Sequence, residues 1–149
     1  YGPNDNFDLD NSHVIPALFR KFHEAKVKKH SAVTIWGTGS PIREFIYVDD
    51  LADACLFLMR NYNSPEIINI GSCEEISIKN LAYFIKDVIG CCSEITFDTS
   101  KPDGSPRKVL DTSKLRCLGW EANTFLKEGI RKTYEWYLKH VEKNTAMSI

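Results

Sequence analysis

The sequence lacks several features that mark common classes of protein, and each absence excludes a kind of function. No apolar run approaches the roughly 18 residues of a membrane-spanning helix, and no charged stretch followed by a short apolar one resembles a signal peptide. The net charge of the 149 residues is only −1, so no global field draws the chain to nucleic acid or to an anionic membrane. With 43% hydrophobic residues, the composition fits one soluble domain with a true core, and we expect a cytoplasmic protein.

Patterns of disulfide-forming and metal-binding residues are also missing. The sequence has an odd number of cysteines, five, and none of them shows C-x-x-C spacing. Two of them, Cys91 and Cys92, are adjacent. The four histidines show no i, i+4 pairing with each other or with a cysteine. We therefore expect reduced thiols and no metal ion.

What the sequence does contain is an alternation of helical and strand patterns, which is typical of the α/β class. The predicted helices are 14–29, 51–59, 78–89, 112–120 and 125–141. The predicted strands are 32–36, 42–48, 66–72 and 94–98. These strands are too few and too irregularly spaced for a complete doubly wound sheet.

Capping residues and composition add detail to two of these helices. Ser77 should cap the third helix and Gly90 should end it. Asp49 and Asp50 should cap the second helix. That helix, "LADACLFLM" at 51–59, is almost entirely apolar, so we expect it to be buried on several sides.

The first helix offers a candidate binding face. Val14, Leu18 and Lys21 are separated by four and three residues and therefore share one side of the helix, an apolar shelf that ends in a cation. Such a face suits a ligand with a flat ring and a phosphate. The alternative is a helix whose basic residues, Arg20 and Lys21, are simply solvated, which is the commoner case.

Two further basic stretches lie beside turns rich in glycine and proline. Trp36 ends a strand before "GTGSP", and Arg43 lies inside the next strand, where it is either an outward-facing residue or a phosphate ligand. The G-x-G does not open a helix, so it is not the dinucleotide-binding fingerprint. The loop "TSKPDGSPRK" holds Lys101, Arg107 and Lys108, which either close over an anion or are solvated. Three separate basic clusters favour one shared anionic ligand without identifying it.

Several long motifs occur in order along nearly the whole chain: "YGP", "G-x-G-x-x-x-R-E-F-I-Y-V-D-D-L-A-x-A", "I-N-I-G", "L-G-W" and "G-I-x-x-T-Y-x-W-Y". Together they resemble the extended short-chain dehydrogenase/reductase family of nucleotide-sugar enzymes. Two segments, "YGPNDNFDLDNSHVIPAL" and "KPDGSPRK", resemble the branch of that family that converts GDP-4-keto-6-deoxy-D-mannose to GDP-L-fucose.

This resemblance implies a fold and a set of site residues. The expected fold is the C-terminal, substrate-binding lobe at residues 1–141, with about 42–72 as a strand–helix–strand unit that packs on the Rossmann domain, and 142–149 as a flexible tail. His13 matches the histidine that the family uses as an acid during epimerisation. The positions that match the lining of the family's GDP pocket are Val14, Leu18, Lys21, Trp36, Arg43 and Lys108.

Other parts of the family's machinery do not occur in the sequence. No glycine triplet has the G-x-x-G-x-x-G spacing used for NADP(H), and none of the six tyrosines has lysine four residues later. The chain also begins with Tyr1 and not with methionine. We therefore expect a piece of a longer, homodimeric epimerase–reductase, inactive alone, whose NADP is bound mainly by the missing half. Without that half, residues 42–72 should expose apolar surface.

Two alternatives stay open. The chain could come from another nucleotide-sugar epimerase or dehydratase of the same fold, or it could be a non-catalytic module that binds nucleotide sugars or regulates another protein. A comparison of GDP with UDP binding separates the first alternative from the main expectation.

Overall fold

The computed structural model describes residues 1–9 and 11–140, and its elements alternate between helix and strand. In chain order they are α1 (Val14–Lys28), β1 (Ala32–Trp36), β2 (Ile42–Glu44), α2 (Val48–Asn61), β3 (Glu75–Ser77), α3 (Ile78–Ile89), β4 (Glu94–Asp98), β5 (Arg107–Lys108), α4 (Ser113–Cys117) and α5 (Leu126–His140). The predicted α/β class is confirmed. The predicted tail at 142–149 lies outside the described residues.

The strands form two small sheets. β1 and β4 pair in parallel, with Trp36 opposite Asp98 at their carboxyl ends. In the other sheet β2 lies between β3, which is antiparallel to it, and β5, which is parallel. Neither β3 nor β5 was predicted, because strands of three and two residues are too short to show a periodic pattern.

Helices α1, α3 and α5 build the main core against the β1–β4 pair. Phe19 and Phe22 of α1, Leu81 and Ile85 of α3, and Ile130 of α5 are each 0% exposed. Burial of this apolar area is the main force that holds α1 in place beside β1. Among the described helices, none is both long and apolar enough to cross a membrane.

The caps of α3 are confirmed. The side chain of Ser77 accepts a hydrogen bond from the backbone N–H of Asn80 at 3.1 Å. Gly90 ends the helix with a left-handed φ of 68°, a conformation that glycine adopts without steric cost.

The segment 42–72 differs most from its prediction. The strand ends at Glu44, and α2 begins at Val48, before the two aspartates that were expected to cap it. Asp50 instead accepts a hydrogen bond from the backbone N–H of Thr124 at 2.9 Å. The strand predicted at 66–72 is wrong, because no other strand of the described residues pairs with this stretch.

Helix α2 is also less buried than expected. Among its described residues only Asp50 and Ala54 are buried, whereas the side chains of Leu56 and Met59 are 52% and 81% exposed. The helix packs through Ala54 on a small second core with Leu115 and Trp120. Phe57 and Leu58 also pack against this core but are only partly buried, so the prediction of burial on several sides is wrong for this chain.

Candidate functional site

A cleft of about 400 Å³ runs along α1. Its other sides are formed by the end of β1, by Arg43 of β2 with the following Phe45, by Ile78 at the start of α3 and by the loop before β5. Five of the six residues predicted for a nucleotide pocket line this one cleft, and they are Val14, Leu18, Lys21, Trp36 and Arg43. Three separate stretches of sequence therefore meet at a common surface.

The face of α1 is arranged as its spacing predicts. Leu18 is almost fully buried at the base of the cleft, and Val14 is half-buried beside it. The amine of Lys21 donates a hydrogen bond to the backbone carbonyl of Thr34 at 3.2 Å. Burial lowers the pKa of Lys21 from its ordinary value, because the charged amine loses contact with water. An anion in the cleft would offset that loss.

Trp36 forms the exposed rim of the cleft. Its side chain is 67% exposed, an unusual position for so large an aromatic group. Two amines lie near the indole, with Nζ of Lys21 at 5.8 Å and Nζ of Lys101 at 5.6 Å from the ring centre. An accessible ring close to two cations can stack on a planar group that carries negative charge nearby.

Arg43 connects the cleft to a neighbouring groove. Its guanidinium donates to the backbone carbonyl of Ile42 at 2.8 Å, and the residue lines both the cleft and a groove of about 460 Å³. Lys108 lies opposite Arg43 in the β2–β5 register, but it is exposed and lines only the groove. The structure therefore brings Lys108 next to Arg43 and not into the cleft. Arg107 forms an ion pair with Glu75 at 2.5 Å and is not directed to the cleft.

Asp103 lines the cleft and was not predicted. Its carboxylate accepts hydrogen bonds from the backbone N–H and the hydroxyl of Thr38, each at 2.7 Å. These bonds lower the pKa of Asp103 and fasten the loop at 99–106 to the turn after Trp36. A side chain on Gly37 would collide with this carboxylate. The turn residues around Asp103 predict a loop, but no sequence feature shows that it reaches Thr38.

His13 lines a second, adjacent cavity of about 590 Å³. It occupies the N-cap position of α1, where its imidazole is exposed and makes no capping hydrogen bond to the described residues. Val14 and Phe45 line both the cavity and the cleft, so the two spaces share a wall. A ligand that fills the cleft can extend past Val14 to the imidazole.

The glycine-rich turn after β1 does not have the form of a dinucleotide-binding motif. The G-x-G after β1 leads into β2 and not into a helix, so it offers no helix N-terminus to a pyrophosphate. No group of three or more potential metal ligands occurs in this part of the chain. Asp53, one of three neighbouring acids, accepts a hydrogen bond from the indole N–H of Trp120 at 2.8 Å. All five cysteines are free.

Comparisons with known proteins agree with the sequence motifs. Residues 1–71 match the NAD dependent epimerase/dehydratase family. GDP-L-fucose synthase 1 of Arabidopsis thaliana is 55% identical over 141 residues, which are 95% of this chain and 44% of that protein. GDP-L-fucose synthase of Escherichia coli K12 is 43% identical over 96% of this chain and 47% of that protein. The chain thus spans a little under half the length of these relatives.

A solved structure supports the same relationship at the level of fold. A GDP-L-fucose synthetase from Naegleria fowleri bound to NADP superposes with a TM-score of 0.89 and 34% identity. The match covers 95% of this chain and 45% of that one. The fold is therefore that of part of an extended short-chain dehydrogenase/reductase, as the motifs predicted.

Proposed function

The chain is homologous to GDP-L-fucose synthases over nearly its whole length, and from this we propose that it is the GDP-sugar-binding part of an NADPH-dependent epimerase–reductase. The proposed reaction converts GDP-4-keto-6-deoxy-D-mannose to GDP-L-fucose. The observation that carries the proposal is the convergence of Val14, Leu18, Lys21, Trp36 and Arg43 on one cleft.

We propose the following placement of the nucleotide in the cleft. The accessible indole of Trp36 stacks on the guanine, and the amine of Lys21 and the guanidinium of Arg43 hold the diphosphate. The nucleotide packs against the apolar side chains of Val14 and Leu18. The sugar then extends past Val14 to the cavity of His13, since the two spaces adjoin there.

His13 is the proposed acid of the epimerisation. The 4-keto group of the substrate acidifies C3 and C5, so a base can remove a proton from either carbon to form an enolate. The exposed imidazole of His13 returns a proton to the opposite face of the ring. NADPH would supply the hydride that reduces C4 when it is bound, and we propose that it is held mainly by a part of the protein outside this chain. This part of the chain is therefore proposed to bind and protonate substrate, and not to reduce it alone.

The apolar face of α2 belongs to the same proposal. Val48, Leu51, Leu56 and Met59 are all exposed large apolar residues on this helix. We propose that the segment at about 42–72 packs on a Rossmann domain that carries the cofactor, and that the whole protein is a homodimer. Packing of this kind would remove from water an apolar surface that soluble domains rarely leave uncovered.

A competition between nucleotides tests the proposed substrate class. We expect GDP to bind the protein, at its natural full length, more tightly than UDP and more tightly than GMP, because both the purine ring and the second phosphate add contacts. Equal affinity for GDP and UDP would favour another nucleotide-sugar epimerase or dehydratase of this fold. Binding of GDP with no epimerisation or reduction in the presence of NADPH would favour the non-catalytic module.

A further inference from the structure

The side chain of Ser12 has an unsatisfied polar group in the wall of the cleft. Its hydroxyl oxygen is buried and has no hydrogen-bond partner within the described residues. The backbone of Ser12 is fixed, since its N–H donates to the carbonyl of Asp8 at 3.0 Å. Because a buried hydroxyl without a partner costs free energy, proteins seldom keep one without a reason.

The position of this hydroxyl points to a ligand. Ser12 lines the same cleft as Lys21 and Arg43 and comes directly before His13 in the chain. It therefore lies at the end of α1 that is nearer the imidazole, whereas Lys21 and Trp36 meet nearly two helical turns further on. In the proposed placement of the nucleotide sugar, this end of the cleft holds the junction between the diphosphate and the sugar.

We propose that the hydroxyl of Ser12, which is sealed from the cleft in the unliganded chain, rotates about the Cα–Cβ bond of this partly exposed residue and forms a hydrogen bond with an oxygen of the bound GDP-sugar at the junction of diphosphate and hexose. This inference rests on the function proposed above. A phosphate oxygen accepts from the hydroxyl, and a sugar hydroxyl can either accept or donate, so both satisfy the same group. The ligand thereby completes a hydrogen bond that the protein alone leaves unmade.

The variant Ser12→Ala separates a ligand contact from a structural role. In the unliganded protein we expect its melting temperature to equal or exceed that of the wild type, because the variant removes an unsatisfied hydroxyl and little volume. Its affinity for GDP-L-fucose should fall by roughly three- to tenfold, the loss expected for one hydrogen bond. In steady-state assays of the protein at its natural full length, the KM for the keto-sugar substrate should rise while kcat stays near the wild-type value. Ser31→Ala, at an exposed serine that does not line the cleft, is the matched control.

Titrations with GDP and with GDP-L-fucose identify the partner oxygen. An equal loss of affinity for both ligands assigns the bond to a phosphate oxygen, and a loss for GDP-L-fucose alone assigns it to the sugar. Unchanged affinity for both ligands would overturn the inference, as would a lower melting temperature in the unliganded variant. If the wild type itself binds neither ligand, the proposed function fails. If the wild type binds and Ser12→Ala binds equally well, only the inference about Ser12 fails.

Discussion

Lys21 of α1 and Trp36 of β1 meet at the cleft, where the amine nitrogen of the lysine lies 5.8 Å from the centre of the indole ring. The two residues come from different elements, and the packing of α1 on β1 brings them together. A cation and an accessible aromatic ring at this distance can bind a nucleotide through its phosphate and its base at once.

Removal of the indole should weaken nucleotide binding. Stacking of one base on an aromatic side chain contributes about 1–3 kcal/mol, so we expect Trp36→Ala to lower the affinity for GDP by about tenfold or more. Trp36→Phe keeps an aromatic ring and should retain most of the affinity. Isothermal titration calorimetry measures both. Equal binding by wild type and Trp36→Ala would mean that the base lies elsewhere.

The affinity for GDP should depend on pH in the alkaline range, where Lys21 loses its charge. Only the protonated amine attracts the diphosphate, and burial lowers the pKa of Lys21 from its ordinary 10.5. The affinity should therefore be constant at neutral pH and fall as the pH rises, beginning at a lower pH than an ordinary lysine would give.

Lys21→Arg is the control for this pH profile, since a guanidinium keeps its charge throughout the range. Titration of the guanine ring itself affects both proteins equally, so the difference between the two profiles reports on residue 21. Profiles that coincide up to pH 10 would show that the amine of Lys21 does not contribute to binding.

In the protein at its natural full length, His13→Gln should slow epimerisation strongly and leave nucleotide binding intact. Loss of a general acid lowers a rate by about a hundredfold or more, so incorporation of solvent deuterium at C3 and C5 of the substrate should fall by that factor. The affinity for GDP should stay near that of the wild type, because the imidazole lies in the adjoining cavity. His30→Gln, at an exposed histidine just after α1, is the control. Normal exchange in His13→Gln would exclude the acid role.

The exposed face of α2 should cause self-association when nothing covers it. We expect this chain alone to form oligomers or aggregates, and Leu56→Lys with Met59→Lys to reduce them, because these side chains are 52% and 81% exposed. Val27→Lys changes an apolar residue that is 62% exposed on α1 and should have little effect. Sedimentation velocity distinguishes the outcomes. A monodisperse wild-type monomer with a sharp, reversible melting transition would contradict the proposed packing surface.

Local patterns predicted α1, β1, α3 and β4 because each element carries its own signal. The apolar stripe of α1 and the cap at Ser77 act within a few residues, so no knowledge of the rest of the chain is needed. The burial of the segment 42–72, by contrast, depends on a packing partner that local residues do not identify. Its apolar residues indicate burial against a neighbour, but they cannot say whether that neighbour is present, and here most of α2 stays exposed.

The residues of the site likewise fall into those that local spacing predicts and those that it does not. Helical spacing alone places Val14, Leu18 and Lys21 on one face, and the structure shows them in one cleft. The contact of Asp103 with Thr38 depends on how a loop folds over a distant turn, which spacing does not encode. The motif match predicted Lys108 in the same pocket as Arg43. The two residues are opposite each other in the β2–β5 register, but Lys108 lines the neighbouring groove and not the cleft.

A crystal structure of the protein with GDP bound would show whether the cleft along α1 is the nucleotide site. We expect the guanine against the indole of Trp36, the diphosphate within hydrogen-bond distance of Lys21 and Arg43, and the terminal phosphate directed towards Ser12 and His13. GDP bound in the groove of Lys108, or anywhere that leaves the cleft along α1 empty, would contradict it.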